Sequence, residues 1–167
     1  DLSRGDSGRL SVSQQPVALL PLLEQVQELA QSAQQRSIGL QLPNSPDLIA
    51  NADPDRLQQV LLNLIENACK YSEPEAPVEL ALLVSGAELT IEVRDQGIGV
   101  PLEDQNRIFE RFQRGSNAPA GEGSGLGLSV VRLLVEGMGG QVSLRSQLGE
   151  GSVFSLHLRP VERADEV

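Results

Sequence analysis

Hydrophobic positions recur along this chain with two distinct periods. Leu19, Leu22, Leu23, Val26, Leu29, Ala30 and Ala33 follow one another mostly by three or four residues. That spacing predicts an amphipathic helix, with Pro16 and Pro21 near its start. The helical period returns in Leu57, Val60, Leu61, Leu64, Ile65 and Ala68, a continuous apolar stripe over about three turns. Asp53 stands before it as an N-cap and Pro54 at its first helical position. A third helix is predicted from about Leu126 to Glu136, stopped by "GMGG". Elsewhere the period is two. "RLSVSQQP" alternates Leu10 and Val12 with polar residues and predicts a short edge strand. "SIGLQL" and the residues around Leu48–Ala50 predict two more short strands. Val78–Val84 and Leu89–Val93, joined through Ser85, Gly86 and Ala87, predict a β-hairpin. "QVSLRS" and "SVFSLHL" predict another across "QLGEG". In that last strand Phe154, Leu156 and Leu158 point one way, Ser155 and His157 the other. Helices alternating with hairpins, not strict βαβ units, predict an α+β two-layer sandwich. Its mixed, mainly antiparallel sheet is covered on one face by helices.

Composition narrows what such a sandwich can do. At 167 residues the chain fits one domain with a sizeable core. Aromatics are 2% and tryptophan is absent, so Leu, Val, Ile and Ala must build that core. The net charge of −10 argues against a nucleic-acid partner, which needs a cationic stripe. A few local donors can still hold an anionic small ligand. Cys69 is the sole cysteine, which excludes an internal disulfide and a cysteine-based metal site and fits a reducing cytoplasm. No apolar run approaches the ~18 residues of a membrane span. The polar opening lacks a signal-peptide core and an initiator Met, so a piece of a longer protein is expected. Residues 1–14 read as a connector, 15–160 as the domain and 161–167 as a tail.

Three stretches carry chemistry. On the helix of residues 54–71, Asn63, Asn67 and Lys70 stand at i, i+4 and i+7 and share a face. An amide oxygen suits Mg²⁺, and a lysine suits phosphate; a solvated polar face is the plainer reading of the helix alone. "RDQGIGVP" follows the strand "LTIEV". There Asp95 can accept from an exocyclic amine, or simply support a turn at Gly97. "GEGSGLGLSVV" runs straight into a helix, where free N–H groups and the macrodipole favour an anion. It matches neither Gly-x₄-Gly-Lys-Ser/Thr nor Gly-x-Gly-x-x-Gly, which removes P-loop NTPases, Rossmann enzymes and the protein-kinase glycine loop.

In their order, "NLIENACKYS", "DQGIGV", "IFERFQR", "GSGLGLSVV" and "GEGS" resemble the N, G1, F, G2 and G3 boxes of sensor histidine kinases. The resemblance is to their catalytic ATP-binding domain, within the gyrase, Hsp90 and MutL ATPase superfamily (the Bergerat fold), and spans roughly residues 10–160. It implies ATP and Mg²⁺ as ligands. Asn67 would ligate Mg²⁺ bridging the phosphates, with Asn63 in support and Lys70 reaching a phosphate; these three form the implied catalytic set. Tyr71 would flank the nucleotide and Asp95 read the adenine amine. Gly97 and Gly99 would let the base approach beside Val100, and Ser152 of the G3 element would complete the pocket. Residues between about 101 and 124 would form a mobile ATP lid. Arg114 would reach the phosphates from it, with Gly123, Gly125, Leu126, Gly127 and Leu128 covering them. Gln113 stands where the family commonly has an aromatic, and "GSNAPAGEGS" carries few basic residues.

Relatives that hydrolyse ATP have a glutamate at the position of Asn63. An amide cannot act as a general base, so the γ-phosphate would be kept for another nucleophile. Glu66 lies about 100° round the helix from Asn67. The sole histidine, His157, is expected to be an exposed strand residue. "DLSRGDSGRL" resembles the tail of the family's second hairpin helix, so the phosphoacceptor is expected before Asp1. The implied partners are that upstream hairpin and a response-regulator receiver domain. A homodimer is expected for the full-length protein and a monomer for the fragment, in a cytoplasmic domain whose full-length protein is membrane-anchored or free. The alternatives are a gyrase-, Hsp90- or MutL-type ATPase, a nucleotide-binding regulatory module, and an anti-sigma serine kinase on the same scaffold.

Overall fold

The structure is a computed structural model that describes residues 11–45, 47–105, 108–109 and 127–161. Its central helix, α2 (Pro54–Lys70), starts where the sequence says it should. The Asp53 carboxylate accepts from the Asp55 and Arg56 N–H groups, both at 3.1 Å, and Pro54 fills a position whose N–H would have no partner. The second Asp53 oxygen accepts from Ser13 N–H at 2.8 Å, so the segment before the first strand is tied to the helix start. Leu57, Val60, Leu61, Leu64, Ile65 and Ala68 are all buried.

Helix α1 (Leu19–Gln34) buries Leu19, Leu22, Leu23, Val26 and Ala30. Leu29 and Ala33 fall off this stripe; Leu29 is 41% exposed. Pro21 is harmless in the first turn. Pro16 is not at a helix start. It lies in β1 (Gln15–Ala18), opposite Asn51 of β3 (Ile49–Ala52), in a two-stranded antiparallel sheet. A strand with one free side tolerates the missing N–H. The edge strand expected around Leu10 and Val12 is therefore displaced along the chain.

The main sheet has the order β2 (Gly39–Gln41), β4 (Val78–Ser85), β5 (Glu88–Asp95), β7 (Gly151–Leu158), β6 (Gln141–Gln147). Among the described strands only the β2–β4 pair is parallel. Helix α1 packs on α2, α2 lies against β5, and α3 (Leu128–Gly137) lies against β6. This is the two-layer α+β sandwich that the alternation of blocks predicts. Its helix side is built in rows: Leu89 pairs with Leu158; Ile91 pairs with Leu156, which pairs in turn with Val142; and Val93 pairs with Phe154, which pairs in turn with Leu144. Aliphatics dominate, and Phe109 meets Phe154 edge-on with ring centroids 6.0 Å apart.

The other face of the sheet is polar. Glu92, only 6% exposed, is tolerated there because Arg94 Nε donates to it at 2.8 Å. His157 belongs to this face too. Its ring nitrogens lie 3.3 Å from Thr90 Oγ1 and 3.1 Å from Ser143 Oγ, and Glu88 is 3.3 Å away. Among the described residues no helix is long and apolar enough to cross a membrane.

Candidate functional site

The apolar rows of the helix-facing side end in a polar one. Asp95 pairs in register with Ser152, and Ser152 with Ser146. The same alternation that aims Leu89, Ile91 and Val93 at the helices aims the Asp95 side chain that way. Its carboxylate accepts from Gly97 N–H at 2.8 Å and from the Ser152 backbone N–H. Burial pushes this carboxyl above its ordinary range, and the two backbone donors pull it partly back. Ser152 is 6% exposed.

The C-terminal end of α2 docks against this row. Ser72 Oγ donates to Ala68 O at 2.7 Å and closes the last turn. Ile98 N–H donates to Tyr71 O at 3.2 Å, which fastens the loop after β5 to the helix end. A Cβ on Gly97 would sit 2.9 Å from the Tyr71 carbonyl carbon and closer still to its oxygen. Gly99 (φ +76°) is pressed in the same way on the Gln147 carbonyl, and Gly151 (φ +109°) on the Asp95 carbonyl. Gly149 N–H donates to Ile98 O at 2.8 Å. These glycines thus have a reason that the sequence does not display: they let three stretches of protein backbone touch.

Between the helix end and this loop lies a cleft of about 440 Å³, bordered by Lys70, Tyr71, Ser72, Glu73, Gln96, Gly97, Ile98 and Gly149. Of the residues expected at the site, Lys70, Tyr71 and Gly97 therefore line one cleft. Asp95 sits at the root of its loop wall, and Asn67 lies one turn before Tyr71 on α2, half-buried. Asn63 is 5% exposed, so the amide face of α2 is not simply a wet one. Val100 N–H donates to Ser146 Oγ at 2.8 Å, and its carbonyl accepts from Gln105 Nε2 at 2.8 Å. Gly127 is the N-cap of α3, its carbonyl accepting from Val130 and Val131 at 3.1 Å, and Leu128 begins the helix. Arg114, Gly123, Gly125 and Leu126 lie outside the described residues, as does most of the expected lid. Ile108 and Phe109 of "IFERFQR" are buried. Burial pushes the half-buried Cys69 thiol up, which suits a packing role.

Ser146, Gln105 and Ser72 were not legible as part of this region. Ser146 and Gln105 bond partners 46 and 41 residues away, and no local pattern marks such a bond.

The donor set bears on which ligands fit. Among the described residues there is no group of three or more His, Cys, Asp or Glu side chains able to hold a metal alone. The Asn67 amide offers one neutral oxygen. Such a set suits a cation that arrives with phosphate oxygens and waters of its own, as Mg²⁺ does with a nucleotide. The cleft itself is bordered by Lys70 and Tyr71 on the helix side, and Asp95 stands behind its loop wall.

An α+β sandwich with this wall, helix end and cleft is a nucleotide-binding scaffold. Residues 52–162 match the family described as "Histidine kinase-, DNA gyrase B-, and HSP90-like ATPase". The circadian input-output histidine kinase CikA of Synechococcus elongatus is 36% identical over 163 residues, covering 93% of this chain and 22% of that protein. The mycobacterial sensor histidine kinase MprB superposes with a TM-score of 0.76 at 25% identity, over 89% of this chain and 100% of that one. Full-length ShkA in complex with AMPPNP gives 0.74 at 32% identity, over 93% of this chain and 34% of that one. The chain belongs to this family and is a histidine kinase ATP-binding catalytic domain. It spans between 18% and 43% of the length of the curated relatives it matches most strongly.

Proposed function

We propose that this domain holds Mg·ATP between the end of α2 and the loop after β5, and presents the γ-phosphoryl group to a histidine of a helical hairpin in the same full-length protein. The acceptor passes the group to a response-regulator aspartate. The observation that carries the reading is the docking of Tyr71 and Ile98, which puts the Asp95 loop against the helix end bearing Asn67 and Lys70. Asp95 reads the base, Tyr71 flanks it, and Lys70 meets a phosphate. Asn67, with Asn63 behind it, would hold Mg²⁺, whose charge neutralises the phosphates. Phosphoryl transfer asks a protein for positioning and charge more than for covalent chemistry, and this residue set supplies both.

His157 is no acceptor. It stands five residues along β7 from Ser152, about 17 Å away, and on the opposite sheet face. The chain alone therefore binds Mg·ATP without labelling itself, and hydrolyses it slowly because Asn63 cannot activate water. Two measurements test this. Calorimetric titration should show nucleotide uptake that Asn67→Ala strips of its magnesium dependence; unchanged uptake overturns the metal assignment. Incubation with γ-labelled ATP should leave the protein unlabelled, and stable label on His157 overturns the assignment of the acceptor. Steady multiple turnover would favour the ATPase reading instead.

A further inference from the structure

Among the described residues Ser146 Oγ has three polar neighbours, and their chemistry fixes its proton. Val100 N–H, at 2.8 Å, can only donate. The Gly151 carbonyl, at 2.9 Å, can only accept. Ser152 Oγ, at 2.9 Å, can do either. A hydroxyl has one proton and two lone pairs. All three contacts are satisfied in one arrangement alone: Ser146 accepts from Val100, donates to Gly151, and accepts from Ser152. The Ser152 proton is then spent inward, towards β6. What Ser152 keeps for the Asp95 side is lone pairs. Asp95 is also an acceptor, and its two backbone donors, Gly97 and Ser152 N–H, are already bonded to it.

We propose that Ser146 is a positioning residue for base selection: by taking the Ser152 proton, it makes the Asp95–Ser152 end of the pocket accept only. An exocyclic amine meets that end favourably. A carbonyl in the same place does not, because neither the Asp95 carboxylate nor the Ser152 hydroxyl has a proton left to give it. A water lodged between base and wall relays the same preference. It gives both protons to Asp95 and Ser152, and turns a lone pair to the base. Reading a carbonyl would require that water to withdraw a proton from half-buried Asp95 or buried Ser152. The inference deepens the proposed function and rests on Asp95 facing the base.

The test compares affinities for Mg·ATP and Mg·ITP by calorimetry on this chain; at the six-position, which Asp95 faces in this reading, they differ in an amine against a carbonyl, and at N1 in an acceptor against an N–H. A ratio of two affinities on one sample is insensitive to the folded fraction, so a merely structural loss does not move it. Ser146→Ala frees the Ser152 hydroxyl to donate, and should lower the ATP preference about tenfold, the effect of one ordinary hydrogen bond. Ser146→Thr keeps the hydroxyl and should keep the preference. Asp95→Asn should collapse it, since the amide offers a donor. An unchanged ratio in Ser146→Ala beside a collapsed one in Asp95→Asn overturns the role of Ser146 and leaves the nucleotide site standing. A ratio lost in Ser146→Thr as well overturns it, because the hydroxyl would not be the cause. An unchanged ratio in Asp95→Asn overturns the base assignment and this inference with it. If Ser146→Ala does not fold, Ser146→Cys replaces it. Its weak thiol should give a partial loss, and full retention overturns the proposal.

Discussion

Gly97→Ala is the sharpest perturbation of the docking between α2 and the Asp95 loop. Gly97 does not have a positive φ, so the backbone itself would accept an alanine. The obstacle is space. The new methyl would lie 2.9 Å from the Tyr71 carbonyl carbon and nearer to its oxygen, inside the 3.0 Å that side-chain carbons essentially never cross. Both obstructing atoms are backbone at a helix end, so the loop must retreat, by roughly 1 Å. That movement weakens the Ile98–Tyr71 bond, at 3.2 Å, and the Gly97–Asp95 bond, at 2.8 Å. Two hydrogen bonds at about 1 kcal/mol each, with about 1 kcal/mol of overpacking, give a loss of about 3 kcal/mol. The Asp95 carboxylate moves with the loop, and a misplacement of ~1 Å is worth up to ~100-fold where geometry is demanding. Urea unfolding measures the first effect and Mg·ATP titration the second. Gly149→Ala is the control. Gly149 lies on the same cleft with φ +83° and nothing within 4 Å of an added Cβ, so it should lose only the ~1 kcal/mol of left-handed strain. If the two variants are equally stable, or if Gly97→Ala binds ATP like the parent, the backbone-contact explanation of these glycines is wrong.

Asp95 also sets a pH dependence. Burial raises its folded pKa above the unfolded 3.8, so its contribution to stability is fully present below that value and is lost as pH rises through the raised one. The stability of Asp95→Asn relative to the parent should therefore climb with pH across that window; a flat or falling difference in urea midpoints refutes the assignment. Asp53→Ala removes acceptors for Asp55, Arg56 and Ser13 N–H and should cost about 2–3 kcal/mol. Because Asp53 caps the end of α2 remote from Tyr71, ATP affinity of the folded variant should not change, and calorimetry checks this. Asn63→Glu places a carboxylate one turn before Asn67 and should raise phosphate release about 100-fold, the usual effect of a general base. Release at the parental rate would show that a base at this position is not what the domain lacks.

Much of this was readable in the chain because the decisive signals are local. The Asp53–Pro54 start of α2 and its buried stripe depend on residues within one or two turns of each other, and they came out as read. So did both hairpins, whose registers follow from a short turn and an alternating face. What was misplaced depends on partners elsewhere. Pro16 suggests a helix start until Asn51 is seen opposite it. Leu29 has the right spacing but the wrong azimuth against α2 and the sheet, and spacing alone cannot say where a buried stripe ends. At the site, Asp95, Asn67 and the glycines stand in recognisable strings. Ser146 sits in "QVSLRS" as an unremarkable strand serine, and only the β6–β7 register brings it beside Ser152.

That register ties the fold and the site together more closely than either motif suggests. Along β5 the inward positions are Leu89, Ile91, Val93 and Asp95; along β7 they are Leu158, Leu156, Phe154 and Ser152. Three apolar rows and the acceptor row belong to one alternation. A slip of one residue in β5 would turn all four side chains to the polar face, exposing Ile91 and Val93 and bringing in Glu92 and Arg94. The hydrophobic penalty that forbids the slip therefore also holds Asp95 against the helix end. A carboxylate that burial disfavours needs such enforcement, since left to itself the strand would gain by exposing it. The core is thus what keeps an energetically reluctant acceptor aimed at the cleft, and mutations that loosen the Ile91–Leu156 or Val93–Phe154 rows should weaken base selection before they unfold the domain.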